Sequence, residues 1–179
     1  MRNVVLYIAM SLDGFIADVN GGVSWLTGDG SDPENPGSYP RFIKTVDTVI
    51  LGYNTYHQIV TELSPNNWFY GGKTSYVLTY KDIESTKEII FTHKELTELI
   101  NELKVTGNDK KDIWICGGAS IANQVIESGL VDRFHITVIP TILGNGIKLF
   151  EKHRDETKLE LISTEIYDGM VDLVYKRRK

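Results

Sequence analysis

The sequence predicts an α/β fold with a mostly parallel central sheet that ends in an antiparallel hairpin at one edge. Three observations carry this. Short apolar runs without strict alternation recur along the first two thirds of the chain, the pattern of strands covered on both faces. Stretches with apolar residues at helical spacing lie between them. Near the end, Asp168-Gly169 separates two β-rich runs, the strongest short hairpin signal. The order βαβ, βαβ, ββ rules out a helix bundle and a pure β-sandwich.

Val4–Met10 reads as the first buried strand. It runs into Asp13-Gly14 and a short apolar piece that ends in the Asp18–Gly22 turn. Gly28–Pro40, rich in Gly, Asp, Ser, Asn and Pro, reads as a surface loop. Thr48–Leu51 is a strand and Asn54–Leu63 a helix; Ser75–Thr79 and Ile89–Phe91 are strands. Lys94–Lys104 places Leu96, Leu99, Ile100 and Leu103 on one helical face, with Thr92 and Glu95 spaced as a capping box. Ile113–Cys116 is a strand. Ser120–Ser128 is a helix, with Gly129 where a C-terminal stop would sit. Phe134–Leu143 is a long β-rich run, and Leu159–Tyr167 and Met170–Lys176 form the hairpin. Lys176–Lys179 reads as a solvated strand end.

The chain has 179 residues, of which 41% are hydrophobic and 24% charged. That composition is ordinary for a folded globular protein, and the length suits one domain, 1–179. The net charge of −5 argues against nucleic-acid binding, which needs a basic surface. One cysteine cannot form an internal disulfide. The first apolar run is too short for a membrane span and lacks a signal peptide's cleavage region. The expectation is a soluble cytoplasmic protein without nucleic-acid or membrane partners.

Two segments share one layout: apolar strand, glycine, helix start. They are Val49–Thr55, turning at Gly52, and Ile113–Ser120, turning at Gly117-Gly118. Beyond strand ends of an open α/β sheet, such turns offer free N–H groups to an anion, and two could hold a diphosphate between them. Each glycine alone also serves a tight turn. Neither segment is a GxGxxG fingerprint, and no GxSxG elbow or Walker loop occurs. His57, His93, His135 and His153 show no metal-ligand spacing, so no metal is expected. Cys116 ends an apolar strand and reads as a buried small hydrophobe. Trp25 stands out because it follows a Gly21-Gly22 turn in a polar region. Asp13 is either a turn residue or a polar contact to a ligand or catalytic water.

Five motifs in order carry a family resemblance. They are Ile8-Ala9-x-Ser11-x-Asp13-Gly14-x-Ile16-Ala17, Leu51–Tyr56, Val77-Leu78-Thr79, Ile115–Ala119, and Pro140-x-x-Leu143-Gly144-x-Gly146. Together they resemble the dihydrofolate reductase superfamily across essentially the whole chain. The match is closest to the C-terminal reductase domain of the bifunctional riboflavin deaminase–reductase. The resemblance implies a dihydrofolate-reductase-like three-layer α/β/α fold and an NADPH-dependent reductase. The implied reaction is most like reduction of 5-amino-6-(5-phosphoribosylamino)uracil. Dihydrofolate reduction, or cofactor binding without turnover, are the alternatives.

The same resemblance implies cofactor contacts at Ala9, Ile16, Cys116, Gly117, Gly118, Ala119, Ser120 and Ile121. It adds Gly52, Tyr53, Asn54 and Thr55 as a second anion turn, and Leu78, Thr79, Tyr80 and Lys81 as the reader of a 2′-phosphate. Met10, Trp25, Phe42 and Thr137 are the implied substrate pocket, with Asp13 and Thr137 as catalytic candidates. The chain departs from the family pattern at Tyr53 and Ser120, where arginines are common. It departs again near Ser38, where dihydrofolate reductases place a carboxylate on a helix, here expected over Tyr39–Val46. The nearest acids in sequence are Asp29, Asp32 and Glu34, and Arg41 and Lys44 are the nearest cations for a substrate phosphate. A homodimer built on sheet-edge and C-terminal elements is also implied.

Overall fold

The computed structural model describes residues 2–107, 110–151 and 155–178. His153, one of the four histidines, and Lys179 of the basic tail lie outside the described residues. The chain builds one eight-stranded sheet in the order β5-β4-β3-β6-β1-β7-β10-β9. Its strands are β1 (Val4–Ser11), β3 (Val46–Gly52), β4 (Thr74–Leu78), β5 (Ile89–Thr92), β6 (Asp112–Gly117), β7 (Arg133–Ile139), β9 (Leu159–Tyr167) and β10 (Met170–Arg177). The six strands from β5 to β7 pair in parallel, while β10 runs antiparallel to β7 and β9. A separate ribbon pairs β2 (Phe15–Ala17) with β8 (Ile147–Lys148).

Both faces of the sheet are covered, which is why its inner strands need no alternation. On one face α3 (Leu96–Val105) and α4 (Ala119–Glu127) bury Leu99, Ile100, Ala122 and Val125 against Val4, Leu6, Ile50 and Ile115. On the other face Phe42 of α1 (Tyr39–Phe42) and Ile59 pack on Val5, Tyr7, Val49 and Trp114. Alternate residues of β1 thus serve opposite cores. α2 (Tyr53–Gln58) passes directly into a π turn at Ile59–Leu63. The α/β/α architecture is the one the sequence predicts.

Several boundaries differ from the sequence reading. The run Phe134–Leu143 ends as a strand at Ile139, because Pro140 lacks the N–H that a ladder needs. The following segment folds back to form β8. The expected helix over Tyr39–Val46 is one turn, since Thr45 turns onto the Phe42 carbonyl and β3 starts at Val46. No capping box forms between Thr92 and Glu95. Glu95 itself occupies the N-cap, and Thr92 Oγ1 accepts from the Lys94 amide instead.

Candidate active site

A cleft of about 1040 Å³ opens beyond the carboxyl ends of β3, β6 and β1. One wall is built by the two glycine turns. Gly52 ends β3 and caps α2; Gly118 follows β6 and caps α4. Neither cap offers a side-chain acceptor to the first amides of its helix. Those amides and the positive end of each helix dipole therefore face the cleft.

The turns approach closely: a side chain would be tight at Gly118 and in ordinary contact at Gly52. A Cβ on Gly118 would stand 3.3 Å from Thr55 Oγ1, and one on Gly52 3.4 Å from Ile121 Cγ1. Gly117 has φ +122, which side chains rarely adopt, and its peptide bond to Gly118 is cis.

The cleft brings together Ala9, Ile16, Leu78 and Cys116 with the whole Gly52–Thr55 turn. Gly118, Ala119, Ser120 and Ile121 complete that wall. Gly117 lies just behind it. Thr79, Tyr80 and Lys81 do not line the cleft, but Lys81 Nζ sits 3.9 Å above the Tyr53 ring, a cation–π contact at the rim. The structure also adds wall residues that motif matching does not reach: Val19, Val23, Leu26, Ile59, Phe69 and Tyr70.

The four implied substrate-pocket residues stand outside the lining. Met10 packs into the core under α3 and α4. Trp25 is held by its indole N–H on the Gly22 carbonyl at 3.2 Å, while its neighbours Val23 and Leu26 reach the cleft. Phe42 stacks on Tyr7 with ring centroids 4.3 Å apart, and Trp114 meets it edge-on. That aromatic cluster packs beneath α1, and Phe42 also borders the smaller cavity between α1 and the C-terminal hairpin. Thr137 is buried on β7.

Asp13 ties two loops together. Its carboxylate accepts from Ser11 Oγ at 2.6 Å and from the amides of Leu143 and Gly144 at 3.0 and 2.7 Å. The Ser11 hydroxyl and these two amides hold its pKa down at about 2. Of the two readings open in the sequence, the described contacts are those of a turn residue. Cys116 shares a 3.2 Å contact with the Tyr70 hydroxyl, and burial pushes its thiol up to about 11.

A carboxylate does stand at Ser38, and it comes from the far end of the chain. Asp172 of β10 is 1% exposed. Its Oδ1 accepts from Thr137 Oγ1 at 2.5 Å and Tyr167 OH at 3.0 Å. Its Oδ2 accepts from Ser38 Oγ and faces His135 Nε2 at 3.1 Å. Tyr7 OH lies 3.1 Å from Ser38 Oγ. Burial alone would raise the Asp172 pKa; hydrogen bonds from His135, Ser38 and Thr137 outweigh it and hold the group ionised below the usual carboxylate range. The serine, histidine and aspartate are not a nucleophilic triad, because one ring nitrogen faces both oxygens. The loop acids stay outside: Asp29 accepts from the Ser31 amide and Asp32 from Asn35, both at the surface.

The Asp172 cluster borders a second cavity of about 340 Å³ between α1 and the C-terminal hairpin. Arg41 lies there, paired with Glu165. Lys44 accepts the Lys111 ammonium on its carbonyl and lines neither space. The sequence signal for Asp172 was a single carboxylate within a β-rich run, where alternation puts it on the same face as Val174.

The family model for the RibD C-terminal domain matches residues 57–173. The chain belongs to that family. It is 40% identical over 179 residues to the uncharacterized protein YwjB of Bacillus subtilis (strain 168), covering 98% of both chains. Among solved structures it superposes on a Shewanella sp. PV-4 protein named for riboflavin biosynthesis, with TM-score 0.81, 28% identity and full coverage of both chains. It also superposes on the dihydrofolate reductase of Enterococcus faecalis complexed with NADP(H), with TM-score 0.69 and 17% identity, covering 99% of this chain and 97% of that one. At that identity the likeness is one of fold. The fold is dihydrofolate-reductase-like, with the paired glycine turns of this chain at its strand ends.

Proposed function

We propose that this RibD-family domain is an NADPH-dependent reductase that delivers hydride to a small heterocyclic ring, with a pyrimidine ahead of a pterin. The facing turns at Gly52 and Gly118 carry the reading. Two helix starts with no side-chain cap, each on a glycine that keeps the backbone bare toward the cleft, suit the close approach that a diphosphate needs. Membership of the RibD C-terminal family, with a reductase among its structural neighbours, supports an oxidoreductase.

When bound, the cofactor supplies the hydride. The chain's residues do the positioning. The first-turn amides of α2 and α4 take the diphosphate. Lys81, above Tyr53, would be the cation for an adenosine 2′-phosphate. Ala9 and Ile16 present small and branched apolar surfaces to the nicotinamide. Tyr70 and Ile59 exclude water from the floor. No acidic side chain of the described cleft lies buried at its floor, so solvent serves as the proton source.

No described helix is long and apolar enough to cross a membrane, and a cytoplasmic location is part of this proposal. So is a two-fold homodimer. β9, nine residues long, is the last strand of the sheet, paired with β10 on one side only, and exposes Leu161, Ile162 and Ile166, an edge that invites pairing. Light scattering at micromolar concentration giving a monomer mass would contradict the dimer. The activity is tested by NADPH oxidation across pyrimidines, pterins and simple conjugated carbonyls. Turnover of one class with fixed stoichiometry is expected; silence across the panel with intact fold contradicts the enzyme.

A further inference from the structure

We infer that the open half of the cleft takes an uncharged, unphosphorylated conjugated ring as its hydride acceptor; this rests on the reductase reading and narrows it. The first observation is apolar surface left in water. Val19, Leu26, Leu63 and Phe69 are 63%, 38%, 45% and 55% exposed, and all four line this one cleft. They come from three separate segments, the turn after β2, the π turn and the loop before β4, so they are not one stray hydrophobic stretch. Converging exposed apolar side chains over a buried floor of Ile59 and Tyr70 are the signature of a ligand wall.

The second observation is charge. Among the described residues no lysine or arginine lines the cleft; its titratable acids and bases are Glu62, Glu151 and one imidazole, His57, whose ring centroid lies 5.8 Å from that of Tyr53. A phosphomonoester needs cations or a cluster of free amides. The two amide clusters present belong to the diphosphate turns. Arg41 is committed to Glu165 at the second cavity. Gln58, which could have served as a polar anchor, donates to the Gly21 carbonyl at 2.8 Å. Two carboxylates against a single imidazole disfavour a dianion, while Val19, Leu26, Leu63 and Phe69 pack against a neutral ring. In the reaction the ring gains a hydride at an electrophilic carbon of a C=O, C=N or conjugated C=C bond. A proton from water completes the reduction, while the reduced nicotinamide is oxidised.

The test uses matched pairs that differ by one phosphate: riboflavin against its 5′-phosphate, and 2-naphthol against 2-naphthyl phosphate. Each is titrated by fluorescence into the full chain, with and without saturating NADP⁺. The neutral member should bind about tenfold tighter or more in each pair. Glu62→Lys, at an exposed helical position, should narrow the gap at least ~3-fold. Phe69→Ser should weaken the neutral members and leave the esters at their weak level. Equal or tighter binding of the esters overturns the inference, and so does failure of both neutral rings to bind at ~1 mM. A separate NADPH titration reports on the underlying reading. Neutral-ring preference without NADPH binding would fell the reductase and leave the selectivity; NADPH binding with ester preference would do the reverse.

Discussion

Thr137 Oγ1 donates to Asp172 Oδ1 at 2.5 Å, joining the strand next to β1 to the strand of the closing hairpin. Tyr167, Ser38 and His135 converge on the same carboxylate. The network holds one end of α1 against the sheet, and Ser38 spends its hydroxyl there instead of capping the helix.

Removing that carboxylate strands buried donors. Asp172→Ala should cost ~3 kcal/mol or more, and Asp172→Asn, which keeps the shape, ~1–3 kcal/mol, in denaturant unfolding. The folded pKa lies below the unfolded value near ~3.9. The stabilisation is therefore fully present above that value and is lost as pH falls through the folded pKa. The gap between wild type and Asp172→Asn should close below about pH 4. A gap that stays constant from pH 7 to pH 3 would show that ionised Asp172 is not what the donors bind.

The same network bears on folate. Both Asp172 oxygens are occupied, and Tyr7 is stacked on Phe42 beneath α1. Asp172 has no oxygen free to pair with a ring amidine, and the carboxylates that line the cleft, Glu62 and Glu151, are exposed. Dihydrofolate turnover should be weak, and a diaminopyrimidine antifolate should not raise the melting temperature at micromolar concentration. A shift of several degrees would mean that the cluster opens and offers its acid.

Cys116 gives a chemical readout of the cleft floor. With its pKa near 11, only about one thiol in ten thousand is ionised at pH 7. Iodoacetamide should label it roughly 100-fold more slowly than a free thiol, with the rate climbing steadily as pH approaches 10. Labelling as fast as in the urea-unfolded chain would contradict the burial.

Lys81 tests cofactor choice. Its ammonium is parked on the Tyr53 ring beside the Gly52 turn. Lys81→Ala should weaken NADPH by ~10-fold, the scale of one charge-assisted contact, and NADH far less. Equal losses for both would place the 2′-phosphate elsewhere.

What was legible in the sequence follows physical range. Gly52, Gly117 and Gly118 stood out because a turn's demand on backbone is written in the residue itself. Leu96, Leu99, Ile100 and Leu103 gave α3 its face for the same local reason. Asp172 could be seen as an odd acid in a strand, but its meeting with Thr137 and Ser38 depends on β7 pairing with β10 across the sheet, and no local pattern encodes that register. The apolar cleft wall escaped notice likewise, since Val19, Leu63 and Phe69 become neighbours only after the π turn and two loops are placed. The missing capping box at Thr92 shows that even local motifs yield when a backbone amide finds another partner.

The most direct test of the cofactor site is a fluorescence titration of NADPH into the wild-type chain and into Gly118→Val. The wild type should bind saturably at one site per chain. The valine, 3.3 Å or less from Thr55 Oγ1, should weaken binding at least ~10-fold with the circular dichroism spectrum retained. Equal affinity in the two proteins, or no NADPH binding by a folded wild type, would contradict the diphosphate cradle.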